Sequence, residues 1–493
     1  MRSISILLFG LFLFGCSQKE EADRREDQVD DNSQNLDPDD SIAGRPLRNL
    51  PSMLAELGLG AYHNKGFYGQ GVTVAILDNG YSGLEEARGV TLPPQIEVQD
   101  SPQPMADTFH GTKLAEVVYS LSTGKSMYDA NMPSCDIKLF VTNGPYENLE
   151  HAVGQVIALK KADPSRTVIV LYSQIWEYGG NVNGTGFINA LVNKALAEGV
   201  IWVNAAGNLG KSTYFGKVER RQDGGLGNEL KLPYQDRYLR FFVESYTEMK
   251  IVLAWKDFAN SYYYYRTSQD LDLVLEDNQG KVLGSGSLIQ DGKDHGKQEG
   301  YSRHAREVIR AALNPGEYRL RVIAKSNNFD QNSRFWVTAD GMGFRWESSN
   351  GNEVVFMPAD NPEVVTVGAS DVDYGNSKIV DGRYIKPEVV TGSLLDYGDN
   401  MKIQGTSTAA AIFAGTLAVF RSAWGPMIRQ DVFRLIDKSA IGIKREQARD
   451  CKETDNSFQD CKITLPLLIK LPDYNVLPQI KAQFVNAGNG VHP

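Results

Sequence analysis

The sequence predicts an α/β protein: a parallel sheet with helices on both faces, in three layers, carrying an inserted all-β sandwich. Three observations lead there. From about Tyr68 onward, β-branched apolar runs alternate with segments of helical apolar spacing. That alternation stops near Tyr214 and returns after Met357. Between those points short strand-like runs are separated by turn clusters, the texture of an antiparallel sandwich. With 493 residues, 42% of them hydrophobic, the chain can bury more than one core.

The chain opens on Met1-Arg2, an apolar run from Ile4 to Gly15, and then Cys16. This is the charged start and short apolar centre of an export signal, and it falls well below the roughly 20 residues that span a bilayer. Leu13-Phe14-Gly15-Cys16 resembles the lipobox of bacterial lipoproteins. The resemblance implies a signal peptide over 1–15, cleavage before Cys16 and lipid on its thiol, each buried CH₂ adding about 0.8 kcal/mol of membrane affinity. The mature protein is then exported and anchored to a bacterial membrane, with Ser17 favouring the outer membrane or cell surface over the inner membrane. Residues 16–45 follow as an acidic tether. Between Glu20 and Asp40 stand ten carboxylates, against Lys19, Arg24 and Arg25. So polar a stretch cannot offset the entropy of ordering and should stay extended and self-repelling. Most of the net charge of −10 resides there. With no basic stripe elsewhere, nucleic acid is not an expected partner.

Residues 46–213 form the first part of the α/β domain. Gly71 to Leu77 is a strand ending at Asp78-Asn79-Gly80, and Ile137 to Val141, Val168 to Leu171 and Val200 to Val203 repeat the pattern. Asn148 to Lys161 and Phe187 to Glu198 carry helical spacing between them. Residues 214–350 are the insertion, with strands at Ile251–Trp255, Leu271–Leu275 and Tyr318–Ile323 and turns at Asp277-Asn-Gln-Gly280 and Asn314-Pro-Gly316. Its Asp270-Leu-Asp-Leu-Val and Asn314-Pro-Gly-Glu-Tyr segments are similar to jelly-roll accessory domains of some secreted peptidases. Alternate side chains of Tyr262 to Tyr265 are expected to face the sandwich core from a strand. His295 and His304 are expected in water. Asp270, Asp272 and Asp277 offer hard oxygen donors of the kind calcium takes, but solvated turn carboxylates are the plainer reading. Residues 351–440 resume the α/β domain with Val364 to Val367, and 441–493 form a C-terminal extension. Cys135 is expected as a buried free thiol, and Cys451 and Cys461, flanking a polar loop, as a disulfide in an oxidising compartment.

Three segments place reactive side chains where an α/β sheet keeps its site, outside the carboxyl ends of strands or at helix starts. Asp78 ends a strand. His110, in Asp107-Thr-Phe-His-Gly-Thr112, precedes the helical run Lys113–Ser120, and Ser407, in Gln404-Gly-Thr-Ser-Thr-Ala409, precedes the apolar helix Ala410–Trp424. Each alone is an ordinary turn or helix start. Together they supply a carboxylate, an imidazole and a hydroxyl, the set that turns a weak alcohol into a nucleophile.

These motifs resemble those of the subtilisin-like serine proteases. Asp78-Asn-Gly80 is similar to the family's Asp-Thr/Ser-Gly, His110-Gly-Thr112 matches its His-Gly-Thr, and Gly405-Thr-Ser407 with Ala409 and Ala414-Gly415 matches its nucleophile segment. Ala205-Ala-Gly-Asn208 is similar to its oxyanion strand, and Lys386-Pro-Glu-Val-Val390 to its Lys-Pro-Asp stretch. The order Asp, His, Ser along the chain is also the family's. The likeness covers about residues 68–212 and 353–425. It implies a serine endopeptidase acting on exported or extracellular proteins or peptides, with Asp78, His110 and Ser407 as triad and Asn208 as oxyanion donor. Ser173, Gln174 and Ile175 would face Ala205, Ala206 and Gly207 across the substrate's side-chain pocket. No metal or cofactor is required for that chemistry, and none of the six histidines stands in a His-Glu-x-x-His arrangement.

Departures from the family pattern are specific. A glycine expected within 173–175 is missing, Ala411 replaces a helix-starting Pro, Ile412-Phe413 replaces His-Val, and Glu116 replaces a small residue on the His110 helix. They keep a second reading in view, a catalytically decayed surface scaffold. Few residues separate the tether from the first strand, so folding without a cleaved prodomain is expected.

Overall fold

The computed structural model describes residues 43–221, 228–347, 354–372, 378–380, 384–454 and 457–488. The signal peptide, Cys16 and nearly all of the tether lie outside them, as do the side chains of Cys451 and Cys461.

The chain enters through two short helices, α1 (Leu50–Leu57) and α2 (Gly60–His63). The α/β domain then runs β1 (Val72–Asp78), α3 (Leu84–Ala87), α4 (His110–Thr123), β2 (Asp136–Val141), α5 (Tyr146–Ala162), β3 (Thr167–Tyr172), α6 (Phe187–Ala197) and β4 (Ile201–Ala205). Among the described residues nine strands follow: β5 (Thr213–Lys217), β6 (Leu239–Val243), β7 (Thr247–Trp255), β8 (Leu271–Asp277), β9 (Val282–Gly286), β10 (Arg306–Leu313), β11 (Gly316–Ala324), β12 (Arg334–Asp340) and β13 (Phe344–Trp346). The domain resumes with β14 (Val365–Ala369), the pair β15 (Lys378–Val380) and β16 (Tyr384–Lys386), β17 (Val389–Thr391), the pair β18 (Leu395–Gly398) and β19 (Met401–Ile403), α7 (Thr406–Trp424) and α8 (Arg429–Asp437). It closes with β20 (Gly442–Thr454), β21 (Ser457–Ile469) and α9 (Leu477–Gly488).

The main sheet has the order β2-β1-β3-β4-β14-β17-β21-β20. Every pairing in it is parallel except β20 on β21. All seven residues of β1 are buried, as expected of a strand covered on both faces. Their alternation builds the layers. Val72, Val74 and Ile76 meet α4 and α7 through Leu114, Val118 and Leu417, whereas Ala75 and Leu77 meet α5 and α6 through Leu149, Val153 and Leu191. After β1 the chain steps out to β2 and then back across to β3, so β1 and β3 flank the point where the strand order reverses. A crevice opens at their carboxyl ends there.

The residues between β4 and β14 build two antiparallel sheets, ordered β10-β7-β12-β5 and β13-β6-β11-β8-β9. Leu253, Leu273, Leu320 and Phe335 join Leu191 and Trp202 in one apolar cluster, so these sheets pack on the α5/α6 side of the domain. Two expectations are corrected here. Tyr262–Tyr264 form a turn rather than a strand. Tyr262 and Tyr265 are buried and Tyr263 and Tyr264 exposed, with the Tyr262 ring stacked 4.1 Å from Tyr146 of α5. A turn suits them because they seal the contact with α5 and α6 rather than lining a sheet. His304 is buried, not solvated, among Phe187, Tyr262 and Tyr265, and desolvation pushes its pKa well down. Asp277 is a turn carboxylate, accepting from the Gln279 and Lys281 N–H groups at 2.9 Å each. Among the described residues no group of three or more His, Cys, Asp or Glu side chains is placed to hold a metal ion.

The C-terminal extension is part of the main sheet, because β21 pairs with β17 and β20 closes that edge. In their register Cys451 faces Gln459 and Cys461 faces Arg449. Cys135 is a buried free thiol, pushed up to about 12 by burial. No single described helix is long and apolar enough to cross a membrane.

Candidate active site

Asp78 ends β1 with its side chain wholly buried, a placement a carboxylate tolerates only when its oxygens are satisfied. Oδ2 accepts hydrogen bonds from His110 Nδ1 at 2.8 Å and from Ser173 Oγ at 2.6 Å, and the Gly80 N–H lies 3.4 Å from Oδ1. Ser173 is the first residue after β3, so the Ser173–Asp78 bond bridges the two strands that flank the crevice.

His110 is the first residue of α4, and its ring is largely buried. The motif around it explains how it reaches Asp78. Gly111 N donates to Gly80 O at 3.1 Å, and Thr112 Oγ1 donates to Ser82 O at 2.9 Å. A Cβ on Gly111 would stand 2.5 Å from the Tyr81 ring and 2.6 Å from Gly80 O. Only glycine lets the helix start close on the loop after β1. With Nδ1 donating to the Asp78 carboxylate, Nε2 is the basic nitrogen of the neutral ring.

Ser407 lies in the first turn of α7, where backbone N–H groups have no partner inside the helix. Its hydroxyl donates to the Ser173 carbonyl oxygen at 3.1 Å. Ser173 thus touches both ends of the arrangement, its side chain holding the carboxylate and its carbonyl holding the hydroxyl. Its sequence position alone indicates only a place beside the substrate. Its role depends on a contact between residues 95 positions apart, which no local pattern signals.

Asn208 follows β4. Its Oδ1 accepts from Thr406 N at 3.2 Å and Thr406 Oγ1 at 3.0 Å, and Gly207 N donates to the same Thr406 hydroxyl at 3.0 Å. With the oxygen engaged, the free end of the amide carries two N–H donors, fixed next to the residue that bears the hydroxyl.

Of the remaining residues expected around the substrate, Gln174 is turned inward. Its Oε1 accepts from Thr142 Oγ1 at 3.1 Å, and its carbonyl accepts from Asn204 Nδ2 at 3.0 Å. Ala205 and Ala206 are buried, and Ile175, half-buried, lies against Gly207.

The departures find places as well. Glu116 leaves the helix contact and binds the incoming chain. Oε1 accepts from Gly44 N at 2.8 Å and Thr91 Oγ1 at 2.5 Å, and Oε2 pairs with buried Lys113 at 2.6 Å. The close approach of α4 and α7 falls instead at Gly415, where a Cβ would stand 3.2 Å from Leu121. Ala411 and Phe413 are buried in the core of the α7 side. Lys386 is a core group. It is paired to Glu388 at 2.6 Å and donates to Val364 O, and burial lowers its pKa.

No protein-family model matches this chain, and no curated protein does. Among solved structures it is similar to the CspB protease of Clostridium perfringens, with 14% identity over 87% of this chain and 99% of that one, at a TM-score of 0.52. It also matches MycP1, a serine protease of the type VII (ESX-1) secretion system, at 14% identity over 85% and 89% of the two chains (TM-score 0.34). A Pseudomonas sedolisin, a serine-carboxyl proteinase, matches at 11% identity over 90% and 98% (TM-score 0.31). The first likeness shows that this chain shares the fold of the CspB protease.

Proposed function

We propose that this chain is a serine endopeptidase of the subtilisin-like type, cutting exported or extracellular proteins from a lipid anchor on Cys16 at a bacterial outer membrane or cell surface. The observation that carries the reading is the buried Asp78 carboxylate, bonded to His110 Nδ1 and Ser173 Oγ beside the helix start that bears Ser407. In the reaction Ser407 Oγ turns from the Ser173 carbonyl toward His110 and attacks the carbonyl carbon of the substrate as His110 Nε2 takes its proton. The carbonyl π pair moves onto oxygen, where the Asn208 amide and the Ser407 N–H donate to it. Each such donor is worth about 2.7 to 4 kcal/mol of barrier. Collapse of the tetrahedral intermediate breaks the C–N bond, and His110 hands its proton to the leaving amine. Water then repeats the sequence, releasing the acid and restoring Ser407. Asp78 holds the imidazole tautomer and stabilises its cation.

On this reading 214–350 is an inserted β-sandwich that shapes access or docks substrate, and Cys451 and Cys461 pair in the extension. No metal or cofactor is needed for the chemistry. The second reading, a decayed scaffold, is favoured by one observation, the commitment of the Ser407 proton to Ser173. Incubation with an unfolded protein such as reduced casein separates them. The peptidase yields internal fragments that disappear in Ser407→Ala, and the scaffold yields none from folded wild type.

A further inference from the structure

We infer that Ile175 closes the pocket for the residue on the acyl side of the scissile bond, so that this enzyme cuts after glycine or alanine and rejects large side chains. The inference rests on the peptidase reading above and names its substrate class. The position of the acyl residue follows from the site. An oxygen held by Asn208 and the Ser407 N–H puts its carbonyl carbon over Ser407 Oγ, and the leaving amine must face His110 to be protonated. The acyl residue therefore extends away from His110, toward the gap between the segments that leave β3 and β4. Those strands are paired neighbours up to Tyr172 and Asn204, about 4.8 Å apart. The gap thus opens between Ser173–Ile175, fixed at Ser407 by the Ser173 carbonyl, and Ala205–Gly207, fixed at Thr406 by the Gly207 N–H. Gly207, at φ +90, adds no side chain to it, but the Ile175 side chain reaches the Gly207 backbone from the other segment. A Cβ built on Gly207 would stand 2.6 Å from Ile175 Cδ1 and 3.3 Å from both Cγ1 and Cγ2. The isoleucine lies flat on the Gly207 backbone and occupies the volume that a large substrate side chain needs.

The test profiles cleavage of a peptide library by full-length wild type, Ile175→Ala and Ile175→Gly, with fluorophosphonate labelling of Ser407 measured in parallel. Wild type is expected to favour glycine or alanine over leucine or phenylalanine by at least about 100-fold, since a single surplus methylene in a fitted pocket already costs about 10- to 200-fold. Both variants are expected to gain activity after leucine and phenylalanine, Ile175→Gly the more. Labelled wild type that cuts freely after large residues overturns the inference and leaves the peptidase reading standing. So do labelled variants whose preference is unchanged, or labelled proteins none of which cuts any peptide. Folded wild type that does not label overturns the peptidase reading, and the inference with it.

Discussion

Ser173 donates its hydroxyl to Asp78 Oδ2 at 2.6 Å, across the point where the order of the main sheet reverses. The bond fixes the carboxylate that orients His110, while the carbonyl of the same residue receives the Ser407 hydroxyl. One residue therefore ties the acid to the nucleophile.

Ser173→Ala removes that hydroxyl but keeps the carbonyl. A hydrogen bond to a charged group is worth about 1.5 to 3 kcal/mol, so kcat should fall roughly 10- to 100-fold while Ser407 stays reactive. Steady-state kinetics on one peptide check this. A kcat equal to wild type removes Ser173 from the account.

Gly111→Ala puts a methyl where Tyr81 and Gly80 O already stand. The start of α4 must move away from β1 and carry His110 with it. Misplacement of that size costs about 100-fold in rate, so kcat should drop by that order with the fold retained by circular dichroism. Unchanged kcat would mean that the clearance is unimportant.

Glu116→Ala takes the carboxylate from buried Lys113 and frees Gly44 from α4. Breaking one side of a buried pair costs about 3 to 5 kcal/mol. Urea unfolding should register that loss, and adding Lys113→Met should recover part of it. A loss below about 1 kcal/mol would contradict the pinning of the incoming chain at Glu116.

Asp270 is raised to about 6, first by burial and then by the neighbouring charge of Asp272. A carboxyl group raised in the fold favours the folded state at low pH. Its contribution is complete below the unfolded value near 3.9 and fades as pH rises through about 6. Asp270→Asn should therefore stabilise the protein near pH 7.5 and have little effect near pH 4. The gain is about 1 kcal/mol once solvent screening of a partly exposed group is allowed for. Thermal unfolding at both pH values reads it, and equal shifts at the two would contradict the assignment.

The parts of this molecule legible in the sequence are those that local chemistry dictates. β1 reads as a strand because every residue of it is buried between two layers of helices. Asp78, His110 and Ser407 stand out because each ends a strand or begins a helix, and the close approaches beside the first two require glycine at 80 and 111. The rest depends on partners distant in sequence. β20 and β21 mix charged and apolar residues, and they become sheet only through pairing with each other and with β17. Tyr262 and Tyr265 carry strand-forming side chains, but they lie in a turn and just after it, packed on the rings of Tyr146 and Phe187. Glu116, odd on a packed helix, makes sense only once Gly44 and Thr91 arrive beside it.

The unity of Asp78, His110 and Ser407 is tested most directly by intact-mass and peptide-mapping analysis of the folded protein after reaction with a fluorophosphonate. One adduct on Ser407 is expected, absent in Ser407→Ala and slowed at least about 1,000-fold in His110→Ala. Folded wild type that stays unmodified, or that carries its adduct on another residue, would contradict the triad.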